Sequence, residues 1–129
     1  MKRKVLILTD DSQKTAEMAA GIAASLKGYP VSIKDASQFK GNDILPADAF
    51  FLGCDKPKPD SFAYIEDLFL HINLAGRPCG VFSPGGQSTA KYLTGIVRDS
   101  EAALNPGALT SLAEKDVKDW SMSVISKSF

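Results

Sequence analysis

The sequence has 129 residues, enough for one domain with a hydrophobic core of its own, and we expect a single domain over residues 1–129. Its 15 basic and 15 acidic side chains cancel, so the charge gives no reason to expect a nucleic acid or a membrane as partner. No stretch is apolar for long enough to cross a bilayer, and two cysteines are too few for a disulfide framework or a metal site, which together predict a cytoplasmic protein.

Apolar runs without polar alternation indicate strands that are covered on both faces, as in the centre of a parallel sheet. The sequence has three such runs, at residues 5–8, 49–52 and 79–82. Residues 31–34 alternate instead, which predicts a strand near a sheet edge. A weak fifth strand is predicted at 102–104.

Apolar residues at helical spacing predict the helices that connect these strands. Four are predicted: from the polar turn at 10–12 to about residue 26, from 61 to about 75, through the segment with Leu93, Ile96 and Val97, and through the segment with Val117, Trp120 and Val124. Ser111 and Glu114 have the spacing of a capping box for the last helix. Residues 35–46 leave room for a short helix at most.

Strands that alternate with helices predict a three-layer α/β sandwich, in which helices cover both faces of a five-stranded parallel sheet. Right-handed crossovers and the length of the chain favour the strand order 2-1-3-4-5. That order brings three loops together at the carboxyl ends of the strands, at residues 9–15, 53–61 and 83–89, here called the rim loops. Because open α/β sheets bind ligands at this edge, we predict the functional site there.

Several framework features carry a family resemblance over nearly the whole chain. A third strand closed by a glycine (49–54), a fourth strand with a glycine turn (82–86) and a tryptophan in the final helix (Trp120) are similar to those of short-chain flavodoxins. The resemblance implies a flavodoxin-like fold, FMN as cofactor, and electron transfer with a protein redox partner. Trp120 itself is expected in the core and not at the cofactor.

The phosphate loop of flavodoxins, Thr/Ser-x-Thr-Gly-x-Thr, corresponds in this resemblance to residues 10–15. Ser12 and Thr15 keep the hydroxyls that would hold phosphate, and Lys14 adds a positive charge. Asp10 places a carboxylate where the family has a hydroxyl, and Gln13 replaces the glycine that allows close backbone approach. The loop is therefore expected to bind phosphate weakly.

The resemblance assigns the flavin ring to the second and third rim loops. Flavodoxins commonly place aromatic side chains against the ring, but the second loop offers Pro57 and the third has no aromatic residue. The implied ring contacts are therefore mainly backbone groups. They are assigned to Cys54, Asp55, Lys56 and Pro57 in the second loop and to Ser83, Gly85 and Gly86 in the third.

Two other interpretations stay open. Asp10 and Asp11 are similar to the acidic pair that binds magnesium in response-regulator receiver domains, and Ser83 also matches that family. The aspartate that would accept the phosphoryl group is replaced by Gly53, however, and Asp55 lies beyond it. The alternative from a different class is a flavin-free module that binds another small ligand or a partner protein.

The sequence predicts no catalytic constellation of its own. Its one histidine, His71, falls on the helix face opposite the apolar residue Phe62, so it is expected at the surface. No Ser-His-Asp or Cys-His arrangement can be built from it. Cys54 is expected to be a small core residue, as free cysteines often are. Any redox chemistry would then come from a bound flavin.

Overall fold

The computed structural model describes residues 4–105 and 107–126. Five parallel strands form one sheet: Val5–Thr9 (β1), Val31–Asp35 (β2), Ala49–Gly53 (β3), Pro78–Phe82 (β4) and Ala103–Leu104 (β5). Within the described residues, five α-helices accompany them: Gln13–Ser25 (α1), Gly41–Ile44 (α2), Ala63–His71 (α3), Gln87–Asp99 (α4) and Glu114–Ile125 (α5). Single turns of 3-10 helix at Ala36–Gln38 and Asp60–Phe62 come before α2 and α3.

The strands lie in the order β2-β1-β3-β4-β5, as predicted. β1 is paired along its whole length on both sides, with Val5 opposite Val31 of β2 and Ala49 of β3. β5 pairs with β4 over only two residues. β1, β3 and β4 are therefore the inner strands, which agrees with the absence of alternation in their sequences.

The hydrophobic core has two halves, one on each face of the sheet. Leu6, Leu8, Phe50 and Leu52 point to one half, which α3 and α4 cover. Val5, Ile7, Ala49 and Phe51 point to the other half, which α1 and α5 cover. Every residue of β1, β3 and β4 is buried. Both halves are thus apolar layers between sheet and helices, and the predicted three-layer sandwich is confirmed.

Aromatic residues fix the packing of α3 and α5 on β3. Phe50 and Phe69 meet edge to face with ring centroids 5.7 Å apart, whereas Phe51 lies 5.4 Å from Trp120 on the opposite face. The Trp120 indole Nε1 donates a hydrogen bond to the Gly107 carbonyl over 2.6 Å. Trp120 is half-buried and packs against the core, as expected.

Two details of the helices differ from the prediction. α3 ends at His71 and not near residue 75, because Ile72 already has extended backbone angles (φ −111°, ψ 144°). The predicted capping box is wrong, since the residue at the N-cap of α5 is Ala113. The Ser111 hydroxyl accepts a hydrogen bond from the Ala113 amide and donates one to Asp116, so it orders the approach to the helix.

His71 is exposed, as predicted, and its ring nitrogen lies 2.9 Å from the Asp67 carbonyl one helical turn earlier. Across the described ranges, no helix combines the length and the apolar character needed to cross a membrane.

Candidate functional site

The three rim loops meet at the carboxyl ends of β1, β3 and β4. An open groove of about 460 Å³ lies between the first two of them. It is lined by Asp10, Asp11 and Ser12 from the first loop and by residues 55–60 from the second. A larger groove of about 600 Å³ lies between α1 and α5 and contains no residue of the rim loops. Of the residues predicted for the site, the smaller groove is lined by Asp10, Ser12, Asp55, Lys56 and Pro57. Gln13, Lys14, Thr15, Cys54, Ser83, Gly85 and Gly86 do not line it.

The Asp10 carboxylate joins the first rim loop to the second. Asp10 is only 7% exposed. Its Oδ1 accepts a hydrogen bond from the Ser12 amide over 3.2 Å, and its Oδ2 accepts one from the Asp55 amide over 2.9 Å. The second of these hydrogen bonds is called the Asp10–Asp55 bridge below. Asp10 thus uses one amide of the predicted phosphate loop and one of the backbone amides that the sequence assigned to the flavin ring.

Asp55 is the point at which all three rim loops converge. The Ser12 hydroxyl donates to its Oδ2 over 3.3 Å. The Thr89 hydroxyl, from the first turn of α4, donates to its backbone carbonyl over 3.2 Å. A Cβ atom at Gly85 would overlap that same carbonyl oxygen, so the third loop lies directly against the second. The space between these two loops is therefore filled by the chain itself.

Sequence reasoning did not identify Thr89. The residue is 1% exposed, and it lies just after the two glycines of the third loop. A hydroxyl in the first turn of a helix is a common partner for nearby backbone groups. That signal indicated a local role for Thr89, but it gave no indication that its acceptor would be a carbonyl 34 residues away.

The first turn of α1 contains the residues predicted to hold phosphate. Ser12 is at the N-cap with extended backbone angles, but its side chain does not cap the helix. Gln13 and Lys14 follow on the exposed side of the turn. Thr15 is fully buried, and its hydroxyl has no hydrogen-bond partner in the part of the chain that the structure describes. A helix amino end supplies amide donors and a partial positive charge, which suit an anion.

The second rim loop exposes two lysines and encloses a thiol. Cys54 is fully buried, and its Sγ donates to the Lys56 carbonyl over 3.3 Å. Burial, and to a smaller extent the carboxylates of Asp10 and Asp55, raise the pKa of this thiol to about 12, so the thiol is protonated at neutral pH. The Cys54 side chain is thus a core residue, as expected. Lys56, Pro57 and Lys58 are exposed on the groove.

One hydrogen bond within the third rim loop fixes its turn. The buried Ser83 hydroxyl accepts a hydrogen bond from the Gly85 amide over 2.9 Å. Gly86 has a φ of 97°, which lies in the left-handed region. Tyr92, farther along α4, donates to the Glu66 carboxylate over 2.7 Å and so ties α4 to α3. Burial, followed by the hydrogen bond to Glu66, raises the pKa of Tyr92.

The geometry also bears on the receiver interpretation. β3 ends at Gly53, which has no side chain, and Asp55 is held through its backbone by Asp10 and Thr89. Within residues 4–105 and 107–126, no three His, Cys, Asp or Glu residues are arranged so that they could hold a metal ion. Nothing in this arrangement favours a phosphoacceptor site.

The residues of the rim loops suit the phosphate of FMN but not its ring. The amino end of α1, Lys14 and the hydroxyls of Ser12 and Thr15 fit a phosphate group in type. Asp10 opposes it, because its carboxylate already holds the Ser12 amide. The ring end has no aromatic side chain in the rim loops, and Asp55 fills the space beside Gly85. A phosphate could therefore use the Ser12 amide only after Asp10 has released it.

Comparison with known proteins gives a match in structure and none in sequence. No protein-family model matches the chain, and no curated protein matches it significantly in sequence. A solved short-chain flavodoxin associated with a non-canonical PDU bacterial microcompartment is 13% identical to it, with a TM-score of 0.83 and 97% of each chain covered. Oxidised flavodoxin 2 from Bacillus cereus is 17% identical, with a TM-score of 0.83 and coverage of 97% of this chain and 99% of that one.

A mutant flavodoxin from Fusobacterium nucleatum, solved with flavin mononucleotide bound, is also similar. It is 14% identical, with a TM-score of 0.77, and the match covers 100% of this chain and 98% of that one. Identities this low carry no information about ligands. The matches extend over nearly the full length of both chains, and they show that this chain has the flavodoxin fold, as its sequence resemblance predicted.

Proposed function

We propose that the rim binds FMN, or a related phosphorylated ligand, with low affinity, and that the flavin-bound protein exchanges electrons with a protein partner. The observation that carries this proposal is the placement of Ser12, Lys14 and Thr15 in the first turn of α1, beside the groove at the carboxyl ends of β1 and β3. The fold that this chain shares with flavodoxins supports it. Bound FMN would supply the redox chemistry, while the protein supplies orientation and electrostatics.

The proposed orientation places the phosphate at α1 and the ring toward the second and third rim loops. Lys14 is exposed and would approach the phosphate as a mobile positive charge. The buried Thr15 hydroxyl, which has no partner among the described residues, would gain one. Asp10, Asp11 and Asp55 border the same groove, and their negative charges oppose a dianion. This opposition is the reason to expect low affinity.

Titration of the protein with FMN and with riboflavin, followed by flavin fluorescence, tests the proposal. Riboflavin is the matched ligand because it has the same ring and lacks the phosphate. We expect FMN to bind with a Kd in the micromolar range and riboflavin to bind more weakly. Lys14→Ala should weaken FMN binding by about twofold to fivefold, the size of one exposed charge contact. Lys27→Ala, just beyond the other end of α1, should have no effect.

The absence of FMN binding at millimolar concentration would contradict the proposal. Equal affinities for FMN and riboflavin would contradict the assignment of the phosphate to α1.

One observation favours a second candidate, a flavin-free module whose closed rim contacts another small ligand or a partner protein. The Asp55 carbonyl lies directly against Gly85 and accepts from Thr89, so a ring could enter between the second and third loops only by displacing this contact. The absorbance spectrum after incubation with FMN and removal of free flavin distinguishes the two candidates. A colourless protein that binds neither flavin favours the second.

A further inference from the structure

We propose that Asp10 determines ligand specificity, because its carboxylate acts as an internal competitor for the ligand's phosphate. The inference rests on the proposed function, since it concerns the same site. Besides repelling a phosphate by its charge, the Asp10 carboxylate accepts hydrogen bonds from backbone amides that the phosphate would use. Asp10 also joins the first and second rim loops, together with the Ser12 hydroxyl that donates to Asp55.

The hydrogen bonds of Asp10 are those of an anion in its binding site. Both carboxylate oxygens accept from backbone amides, Oδ1 from Ser12 and Oδ2 from Asp55. A carboxylate that receives two amide donors while it is nearly buried is well stabilised. The second amide comes from a residue 45 positions later, so this contact depends on the fold and not on a local turn. Asp10 therefore occupies donors from both loops at once.

Thr15 provides a separate observation in the same turn of α1. Its hydroxyl is buried and has no partner among the residues that the structure describes, although an unpaired buried hydroxyl is unfavourable. A phosphate at the start of α1 could pair with this hydroxyl, whereas the Asp10 carboxylate does not. The first turn of α1 thus retains a buried hydroxyl that the Asp10 carboxylate does not satisfy.

A phosphorylated ligand must displace Asp10 before it can use the Ser12 amide. The displaced carboxylate would then lie close to a dianion, with one or both of its amide partners lost. A ligand without phosphate pays no such penalty, because it leaves the Asp10–Asp55 bridge in place. Asp10 consequently reduces the affinity for phosphorylated ligands selectively.

The sequence contains a matched control for charge. Asp11 lies on the same groove, is exposed, and has no hydrogen bond among the described residues. Asp11→Asn and Asp10→Asn each remove one negative charge from the rim. Only Asp10→Asn also replaces one of the two acceptor oxygens by an NH2 group, which donates and cannot accept, so that one of the hydrogen bonds from Ser12 and Asp55 is lost. The difference between the two variants therefore measures the contribution of the hydrogen bonds.

The first measurement is the affinity of the wild type and both variants for FMN and for riboflavin. We expect Asp10→Asn to strengthen FMN binding about tenfold, and Asp11→Asn to strengthen it by about threefold at most, which is the usual size of an exposed charge effect. Riboflavin binding should change little in either variant. Equal gains for FMN in the two variants would overturn the inference, because they would show a charge effect alone.

The second measurement needs no ligand. Hydrogen exchange of the Asp55 amide, followed by NMR, reports on the Asp10–Asp55 bridge directly. Asp10→Asn should accelerate this exchange about tenfold or more, whereas Asp11→Asn should leave it unchanged. Unfolding midpoints of both variants establish that they are folded. Unchanged exchange in Asp10→Asn would overturn the inference.

The two measurements separate the inference from the function on which it rests. If Asp10→Asn accelerates exchange but no variant binds FMN, the role of Asp10 in closing the rim is supported and the proposed function is wrong. If FMN binds equally well to all three proteins, the proposed function is supported and the competition by Asp10 is wrong.

Discussion

The ring of Phe82, at the end of β4, lies directly against Gly53, its partner in the sheet at the end of β3. A Cβ atom at Gly53 would overlap three atoms of that ring. Phe82 is fully buried between β3 and the helices on that face, so it has no room to move away. The glycine that closes β3 is therefore required by packing.

Replacing Gly53 by alanine should consequently destabilise the protein. The added methyl group must displace a buried aromatic ring, and overpacking of this kind costs about 1–3 kcal/mol in the free energy of unfolding. Urea denaturation followed by circular dichroism measures the change.

Gly95 provides the matched control for this substitution. It lies within α4 and is exposed, and a Cβ atom there would meet nothing within 4 Å. Gly95→Ala should raise the free energy of unfolding by about 0.5–1 kcal/mol, because alanine favours the helix. If the two glycine variants had the same stability, the packing of Phe82 against Gly53 would not be the cause.

The fold could be predicted because its determinants are local in the sequence. The apolar runs of β1, β3 and β4 have no polar face, so only an inner position in a parallel sheet suits them. The proline-containing loop at 55–59 and the glycine turn at 85–86 each separate a strand from a helix, and these residue types favour loops independently of the rest of the fold. Right-handed crossovers then left few topologies, and the order 2-1-3-4-5 was predicted as the commonest of them for a chain of this length.

For the site, the sequence predicted which residues lie on the rim but not which hydrogen bonds they form with one another. The sequence placed Asp10, Ser12 and Asp55 on one rim, and the structure brings them together there. It could not show that Asp10 binds the Asp55 amide, because that contact depends on the course of two loops. The hydroxyl of Ser12, which the resemblance assigns to phosphate, donates to Asp55, and nothing in the sequence indicated this contact. When a polar side chain has several possible hydrogen-bond partners, sequence spacing alone does not determine which of them it binds.

Two buried threonines should respond to the same substitution with opposite signs. The Thr15 hydroxyl has no partner in the described part of the chain, whereas the Thr89 hydroxyl donates to the Asp55 carbonyl. Thr15→Val removes an unsatisfied polar group and should stabilise the ligand-free protein by about 1 kcal/mol. Thr89→Val removes a hydrogen bond and should destabilise it by about the same amount.

Chemical denaturation of both variants without ligand measures these changes. Because valine has the shape of threonine, and because both residues lie in the first turn of a helix, propensity and cavity effects largely cancel in the comparison. A loss of stability in Thr15→Val would mean that its hydroxyl has a partner after all.

The double substitution Asp10→Ser and Gln13→Gly should restore a phosphate loop with higher affinity for FMN. Serine removes the carboxylate that holds the Ser12 amide, and glycine at the first residue of α1 allows the backbone to approach the phosphate. We expect a gain of about 1–3 kcal/mol in binding free energy, as for removal of an unfavourable buried charge contact. Isothermal titration with FMN measures it.

Gln13→Gly alone is the control for that pair of substitutions. It keeps both hydrogen bonds that the Asp10 carboxylate accepts from backbone amides, so it should improve FMN binding only slightly. Nanomolar binding by the wild type, or no gain in the double variant, would contradict this account of the loop.

The two lysines of the second rim loop should raise the reduction potential of a bound flavin. Lys56 and Lys58 line the groove and are exposed. They offset part of the negative charge of the four aspartates on it, Asp10, Asp11, Asp55 and Asp60. A nearby cation favours the fully reduced, anionic flavin, and each lysine should contribute no more than about 1 kcal/mol because water screens it. For a one-electron step this corresponds to a shift of roughly 40 mV.

Lys56→Ala combined with Lys58→Asn should therefore lower the midpoint of the second one-electron reduction. Asparagine is chosen because Lys58 has a φ of 54°, in the left-handed region that asparagine tolerates. Potentiometric titration in low salt measures the shift, and added salt should reduce it, since the lysines are exposed. Lys118→Ala, in the groove between α1 and α5, provides the control and should leave the midpoint unchanged. An unchanged midpoint in the double variant would show that the second rim loop does not border the flavin.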